Sequence, residues 1–501
     1  MNPKSIDISK GLMSDFSKFA IPPGGLSVCK NLYPWEDVYA PVLNGIAYSS
    51  NSMAGTPLSG IEYVQNTGTY RHFFGTTTKL YRLETGRTFT DITRVSGAYT
   101  TEENQWKWSK YGEWVIATNF NDNIQILKGM TESNFIPLGG SPPKCKYMLM
   151  VHGHLILFYI DDGTVYPNRL IHSPKDDIEN WTPGATGYSK QDIPDASGPI
   201  TGVANFGDVS DDGTNRSKFA IFHPDSITVC HYVGSPNYFN IEPNRIKNIG
   251  AIPNTMVSVG NMVYFWSEKD IYSFNGVYPE SIGLGVRRTI LDSINKAYYH
   301  RITTAVDLQR NIIFWSYPTT NSDGAPNRIV AYNYNVKRFT IIDAISHELL
   351  MNFHKAELLM DDIDAIFPSM DDIPYDMDSN YWMDDAGIMG TVDSTGILNV
   401  LVGNALLGTI ETGEISDGEN GIFMVSSIRP KISNHTGTIS GRIASRDNED
   451  DEPSYSESVD INEYGEIDIE QAGRYNSIEL TTSNHMGISG IDIKGRTIAQ
   501  Y

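Results

Sequence analysis

Residues 71–93 read "RHFFGTTTKLYRLETGRTFTDIT" and contain a complete unit of β-structure. An apolar and aromatic run is followed by a Gly-Thr turn, a second apolar run, another turn and a third short run. Apolar runs joined by tight turns of small polar residues are typical of β-hairpins. The segment therefore predicts antiparallel strands that follow one another directly along the chain.

The same order of strand, turn and strand recurs through the middle of the sequence. Units begin near residues 71, 112, 153, 217, 260 and 309, a spacing of roughly 40 to 65 residues, which is close to that of propeller blades. A single four-stranded sheet exposes both faces, whereas a radial arrangement buries them and leaves only short edges. We predict an all-β protein with a β-propeller of six or seven blades, followed by a C-terminal β-sandwich.

The predicted division of the chain has four parts. Residues 1–60 would form an N-terminal arm and the first blade strands, and residues 61–345 the propeller core. Residues 346–420 would be an acidic connecting region that also closes the propeller, because N-terminal and late strands can complete one blade together. Residues 421–501 contain short alternating strands and predict the sandwich. Within this scheme, residues 344–367 have apolar positions near helical spacing and predict a helix.

Composition limits the class of protein. The 501 residues include 11% aromatics, 44 Gly and 25 Pro, which fits strands and turns, and the net charge is −22. A protein that reads nucleic-acid sequence needs Lys and Arg to displace phosphate counterions, so this charge argues against one. Three dispersed cysteines predict neither a disulfide framework nor a zinc site. The first residues lack the apolar core of a signal peptide, so we expect folding in a cytoplasm.

The sequence offers no frame for catalysis. A phosphate-binding Walker loop, a nucleophile elbow and a dinucleotide fingerprint are all missing. His152 and His154 would share one face of a strand, but no third metal ligand has a defined spacing, so packed or exposed histidines are the better interpretation. We therefore predict that the protein is not an enzyme and has no cofactor, catalytic residue or metal site.

Several phrases along the chain together resemble one family. They are "IPPGGLSVCKNLYPW" (21–35), "FGTTTKLYRL" (74–83), "DIPYDMDSNYW" (372–382), "LLGTIETGEIS" (406–416), "VSSIRPKI" (425–432), "GRIASRD" (441–447), "AGRYNSIEL" (472–480) and "SGIDIKGR" (489–496). In this order they are similar to the β-propeller proteins that form the tail nozzle or tail hub of short-tailed bacteriophages. The likeness extends over nearly the whole chain, and each phrase is short.

The resemblance implies a structural virion protein, assembled in the bacterial host cytoplasm. It would form a homo-oligomeric ring, expected to be a hexamer, below the portal or adaptor and in contact with other tail proteins. Such a ring continues the DNA channel and serves DNA retention and ejection. Double-stranded DNA would pass without sequence-specific binding, because acidic walls repel it. The candidate channel-lining residues are Asp361, Asp362, Asp364, Asp371, Asp372, Asp384 and Asp385, with a second acidic run at 447–452.

Two alternative functions remain open beside the phage tail protein. A glycan-binding or glycan-cleaving propeller used for host attachment is the main alternative, and an intracellular scaffold propeller is the other. A glycosidase needs two carboxylates at a defined separation, and the sequence gives no means of choosing such a pair.

Arg474 and Tyr475 follow the Gly473 turn and are predicted to be structural, with the guanidinium at a strand corner and the ring packed inward.

Overall fold

The computed structural model describes residues 4–101, 105–194, 196–206, 218–354, 387–416, 421–433, 438–483 and 487–500. Six strands precede the first complete sheet, and they are β1 (Lys4–Asp7), β2 (Gly11–Leu12), β3 (Gly25–Lys30), β4 (Leu32–Trp35), β5 (Val38–Pro41) and β6 (Leu43–Ala47). The short helices among the described residues are two 3-10 turns, Lys18–Ala20 and Lys296–Arg301, and α1 (Arg287–Leu291). In the described part of the chain no helix is long and apolar enough to cross a membrane.

Six consecutive antiparallel units of four strands follow, and each is one blade; the first five are separate sheets, and the sixth is part of a larger sheet. Blade 1 contains β7 (Pro57–Val64), β8 (Tyr70–Thr76), β9 (Leu80–Leu83) and β10 (Phe89–Asp91). Blade 2 contains β11 (Lys107–Tyr111), β12 (Trp114–Thr118), β13 (Gln125–Leu127) and β14 (Ile136–Pro137). Blade 3 contains β15 (Lys144–Val151), β16 (His154–Asp161), β17 (Val165–His172) and β18 (Ser189–Asp192).

The next three blades repeat this order. Blade 4 contains β19 (Gly202–Asn205), β20 (Lys218–Phe222), β21 (Ser226–Gly234) and β22 (Tyr238–Lys247). Blade 5 contains β23 (Val257–Val259), β24 (Met262–Trp266), β25 (Ile271–Phe274) and β26 (Pro279–Ser281). Blade 6 contains β27 (Thr303–Asp307), β28 (Ile312–Tyr317), β29 (Arg328–Asn333) and β30 (Arg338–Ile342).

The seventh blade closes the ring with strands from both parts of the chain. Its first three strands are β31 (Leu349–Phe353), β32 (Ile388–Val392) and β33 (Leu398–Ala405), and β6 from the N-terminal region pairs with β33 as the fourth. The first strand, β31, packs between the first strands of blades 6 and 1. The described chain thus forms a closed seven-bladed propeller, which confirms the predicted fold class and the closure by early and late strands.

Apolar contacts between neighbouring blades hold the propeller together. Separate clusters of buried side chains lie between successive blades all the way round, including the junction of blade 7 with blade 1. Between blades 1 and 2, Trp106 packs on Gly75 and donates its indole N–H to the Thr76 carbonyl at 2.9 Å. A Cβ at Gly75 would lie 2.2 Å from the indole ring, so this close approach requires glycine.

The remaining strands form the predicted sandwich, but with a different boundary. They are β34 (Gly408–Thr412), β35 (Gly421–Ser433), β36 (Ile439–Arg446), β37 (Ser454–Tyr455), β38 (Val459–Asp460), β39 (Ile467–Gly473), β40 (Tyr475–Thr482) and β41 (Gly487–Gln500). One sheet has the order β39-β35-β41-β5-β4, with β1 also on β41. The other runs β3-β34-β40-β36-β37, with β2 on β3 and β38 on β36.

The structure differs from two of the predicted segments. Residues 4–41 form sandwich strands instead of an N-terminal arm, because strands β35 and β41 alone would leave an unpaired edge that β1 and β5 cover. The helix predicted over 344–367 is wrong for Leu349–Phe353, which is strand β31, and residues 355–367 lie outside the described residues. Tertiary pairing with β32 overrides the helical spacing of those five residues.

The propeller and the sandwich share one sheet. Strand β30 of blade 6 pairs in parallel with β3 at Lys30 and Ile341, and β3 pairs antiparallel with β34. The result is an eleven-stranded sheet that extends from β27 to β37. One buried cluster includes Trp266 and Trp315 in blades 5 and 6 together with Val425 and Ile478 of the sandwich. The two parts are therefore joined by hydrogen bonds and a common core.

Candidate functional site at the propeller axis

The first strands of the blades surround a cavity of about 320 Å³ at the propeller axis. In a propeller, each blade presents its first strand to the axis, so side chains from distant parts of the sequence meet there. Half-buried apolar side chains from several blades form part of the wall, beside polar ones. The apolar side chains are Ile61, Trp108, Leu149, Val203 and Met256.

Lys107, the first residue of β11, is the cationic side chain in this wall. Its ammonium donates to the Asn254 Oδ1 atom at 2.6 Å and to the Gln105 Oε1 atom at 3.3 Å. Both amides are held with their oxygens toward the ammonium, because each donates its NH₂ group to a backbone carbonyl. Gln105 donates to Ile302 at 2.7 Å and Asn254 donates to Tyr299 at 3.2 Å.

The electrostatic environment of Lys107 is unusual for a lysine. Burial lowers its pKa, the positive charge of Lys146 lowers it further, and the resulting value is about 8. Among the described residues, no carboxylate forms an ion pair with Lys107, and none lines the cavity. At neutral pH the cavity therefore contains a mostly protonated ammonium balanced only by amide dipoles and by the Tyr147 ring, 6.0 Å away.

The size and lining of the cavity limit its use. A volume of 320 Å³ is that of a sphere roughly 8 Å across. The major groove of duplex DNA alone is about 12 Å wide, and the whole duplex is wider than its groove. Duplex DNA therefore cannot pass along the axis of one propeller. The described lining residues also include no pair of carboxylates, which glycoside hydrolysis requires.

A second polar site lies where blade 7 meets blade 1, and we call Glu62, His72 and His354 the closure cluster. Glu62 on β7 and His72 on β8 are directly opposed, and the Glu62 Oε2 atom is 2.8 Å from the His72 Nε2 atom. His354 follows β31, and its Nδ1 atom is 2.6 Å from the Glu62 Oε1 atom. The His354 ring also stacks on Tyr70, with ring centroids 4.3 Å apart.

The Glu62 carboxylate is stabilised in its charged form. Burial by itself would raise its pKa, but hydrogen bonds from His354 and His72 outweigh that effect and lower the pKa to about 2. Because the folded value is below the ordinary value of 4.5, this carboxylate stabilises the fold fully above pH 4.5. The stabilisation is lost as the pH falls toward about 2.

We expect the substitution Glu62→Gln to lower the free energy of unfolding by about 2 kcal/mol at neutral pH, since hydrogen bonds to a charged group are lost. Urea denaturation at several pH values would measure this. The difference from the unchanged protein should shrink as the pH falls below 4.5. Glu280→Gln, at an exposed position of edge strand β26, is the control and should change stability by less than about 0.5 kcal/mol. Equal effects of the two substitutions on the free energy of unfolding would contradict the stabilising role of the Glu62 carboxylate.

The predicted channel-lining residues are not among those that the structure describes. Asp361, Asp362, Asp364, Asp371, Asp372, Asp384 and Asp385 all lie between 355 and 386. The described residues on either side are the paired ends of β31 and β32, where Phe353 is opposite Ile388. In chain order, this acidic insertion therefore lies between β31 and β32. The role of these seven Asp residues as channel lining stays a prediction.

The structure describes the Arg474-Tyr475 pair and the second acidic run. The backbone N–H of Arg474 donates to the Asp447 carboxylate at 3.3 Å, which ties the strand corner to that run. Tyr475 begins β40, is half-buried, and has the guanidinium of Arg446 5.8 Å from its ring centroid. Arg446 itself contacts Glu414, which is buried. These contacts place the pair at a corner of the sandwich, far along the chain from the axial residues.

Neither the axial site nor the closure cluster is predictable from the spacing of residues along the sequence. Lys107 and Asn254 are separated by 147 positions and His354 lies 292 positions from Glu62, so no spacing rule could connect them. His152 and His154 do not share a strand face, because His152 lies in the turn before β16 with a positive φ of 50°. Among the described residues, no group of three or more His, Cys, Asp or Glu side chains is arranged to hold a metal ion.

Comparisons with known proteins identify no family for this chain. No family model matches the sequence, and no curated protein matches it. Similar solved structures include YCF48 bound to a D1 peptide, with 12% identity, a TM-score of 0.35, and coverage of 74% of this chain and 96% of that chain. The computationally designed protein Ika8 has 10% identity, a TM-score of 0.35, and coverage of 75% and 96%.

An exo-β-1,3-galactanase from Phanerochaete chrysosporium with galactose is also similar, at 9% identity and a TM-score of 0.27, covering 80% of this chain and 98% of that chain. Likeness at these TM-scores carries no argument about activity, substrate or assembly. The class of this protein therefore rests on its own strand order, which is that of a seven-bladed β-propeller joined to a β-sandwich.

Proposed function

We propose that this protein is a structural component of a tailed-bacteriophage virion. Several copies, expected to be six, would form a nozzle or hub ring below the portal or adaptor. The ring would continue the DNA channel and serve DNA retention and ejection. The sequence phrases that resemble tail nozzle proteins motivate this proposal. The continuous sheet that joins blade 6 to the sandwich is the structural observation that supports it most.

A ring that contains DNA under pressure has to resist deformation. A flexible linker between two domains would let them move, whereas an eleven-stranded sheet and a shared core couple them. The axial cavity of one propeller is too small for duplex DNA, so the proposed channel lies between copies. Cyclic symmetry can close such a ring with one repeated interface.

Charge and exposed apolar residues also support a ring. The net charge of −22 would keep passing DNA from sticking to the channel wall. Subunit contacts need apolar surface, and the edge strand of blade 5 has it at both ends. Val277 and Tyr278 precede β26 with 60% and 71% exposure, and Leu284 follows it with 69%.

Native mass spectrometry of the purified full-length protein tests the proposal. The expected result is a single dominant species with six times the mass of the chain. A protein that remains monomeric at micromolar concentration in moderate salt would contradict ring formation by this chain alone. We also expect no turnover of polysaccharide or nucleotide by this species.

We expect neutralisation of the acidic insertion to impair DNA release from assembled particles. The change is Asp→Asn at the seven predicted channel-lining positions, and the expected result is several-fold slower ejection, because a neutral wall no longer repels phosphate over about 8 Å at physiological salt. Ejection would be followed by a DNA-binding dye. A parallel variant neutralises the acidic residues of 447–452. Unchanged retention and ejection in both variants would exclude acidic channel lining.

A further inference from the structure

The axial cavity combines features that the proposed ring does not use. Its wall combines polar and apolar surface, and the apolar part includes the half-buried side chains of Trp108, Leu149 and Met256. Its volume of about 320 Å³ lies at the lower end of the range for small-molecule sites, about 300–1,000 Å³.

Two polar groups in the wall have hydrogen-bonding capacity left over. Lys107 uses two of its three ammonium protons on Asn254 and Gln105, and the third has no acceptor among the described residues. Ser59 accepts the indole N–H of Trp108 at 2.7 Å, so its own hydroxyl proton is available as well. Both Lys107 and Ser59 line the same cavity.

The wall has an unbalanced positive charge. Burying an ammonium without a counter-charge is costly, and the described lining residues supply none. A bound monoanion would balance Lys107, whereas a dianion such as HPO₄²⁻ would leave one negative charge buried. The apolar part of the wall favours a ligand whose other end is a hydrocarbon or aromatic group.

We propose that the axial cavity is a binding site for a small amphiphilic carboxylate, with Lys107 as its counter-ion. The carboxylate accepts the free proton of Lys107 and the hydroxyl proton of Ser59. The apolar body packs against Trp108 and Met256. Gln105 and Asn254 are positioning residues, because their amide oxygens accept from the ammonium and hold it at the wall.

Binding of benzoate to the full-length protein tests this assignment. Isothermal titration calorimetry should show saturable binding of benzoate and at least about tenfold weaker binding of benzamide, its neutral analogue, since a factor of ten corresponds to one charge-assisted contact. Inorganic phosphate should bind more weakly than benzoate. Equal affinity for benzoate and benzamide, or no saturable binding of benzoate at millimolar concentrations, would overturn the proposal.

Matched lysine variants locate the site. Lys107→Met should weaken benzoate binding at least about tenfold, because the counter-ion is removed while the length of the side chain is kept. Lys146→Met removes a neighbouring positive charge that does not line the cavity, and it should leave binding within about twofold. Loss of binding in Lys146→Met but not in Lys107→Met would place the site elsewhere.

The unchanged protein provides a test that does not depend on a variant folding. Because the pKa of Lys107 is about 8, affinity for benzoate should fall as the pH rises through that value and the ammonium loses its proton. The other charged or titratable groups near it are Lys146 and Tyr147. Benzoate stays ionised throughout this range, so constant affinity would contradict a role for Lys107. None of these outcomes depends on whether the protein forms a ring.

Discussion

Replacement of Trp315 by alanine is expected to lower the free energy of unfolding by about 3–5 kcal/mol, the range for buried Trp. Trp315 in β28 is fully buried, and its indole N–H donates to the Thr255 carbonyl of the blade 5 region at 2.8 Å. Its ring centroid is 5.5 Å from that of Trp266. The substitution therefore leaves a cavity where blade 5, blade 6 and the sandwich share their core.

Chemical denaturation followed by circular dichroism would measure the effect. Trp35→Ala is the matched control, because Trp35 is 43% exposed and should cost less than about 1 kcal/mol. Trp315→Phe should fall between them, since it keeps an aromatic ring and leaves the Thr255 carbonyl without its donor. If Trp315→Ala and Trp35→Ala were equally mild, the shared core would not couple the two parts of the fold.

The second large effect is expected on assembly. Tyr278→Asp combined with Leu284→Asp places two charges on the exposed edge of blade 5, where both side chains are about 70% exposed. Unpaired charge buried in an interface is costly, so the ring should dissociate to monomers. Native mass spectrometry would measure the loss of the six-copy species.

The control for assembly is Val95→Asp, at an exposed apolar position of 88% exposure in the loop after blade 1. It adds the same type of charge away from the blade 5 edge and should leave the oligomer intact. The double variant should keep the circular dichroism spectrum of the unchanged protein, since neither side chain is buried. An intact ring in the double variant would exclude this edge as the subunit interface.

The hairpin pattern predicted the blades but shifted their starts by one strand. The predicted starts near 71, 153 and 260 coincide with β8, β16 and β24, the second strands of their blades. Second strands have neighbours on both edges and packing on both faces, so they read as continuous apolar runs such as Met262–Trp266. First strands line the axial cavity and mix polar with apolar residues, which weakens their signal in sequence.

Other features could not be predicted from local pattern. Strand β6 pairs with β33 across more than 350 positions, and β1 pairs with β41 across most of the chain. Such pairings leave no trace in local periodicity, and for this reason residues 4–41 were expected to form an arm. The axial site depends on the contact between Lys107 and Asn254, which forms when the blades close into a propeller. Only the assembled propeller brings them together.

The most direct test of the proposed function is single-particle electron cryomicroscopy of the purified full-length protein. We expect a closed ring of six copies around an opening wide enough for duplex DNA, with the propellers forming its wall. The edge of blade 5, at Tyr278 and Leu284, should lie in the contact between neighbours. Isolated seven-bladed propellers without a ring, or an assembly without a central opening, would contradict it.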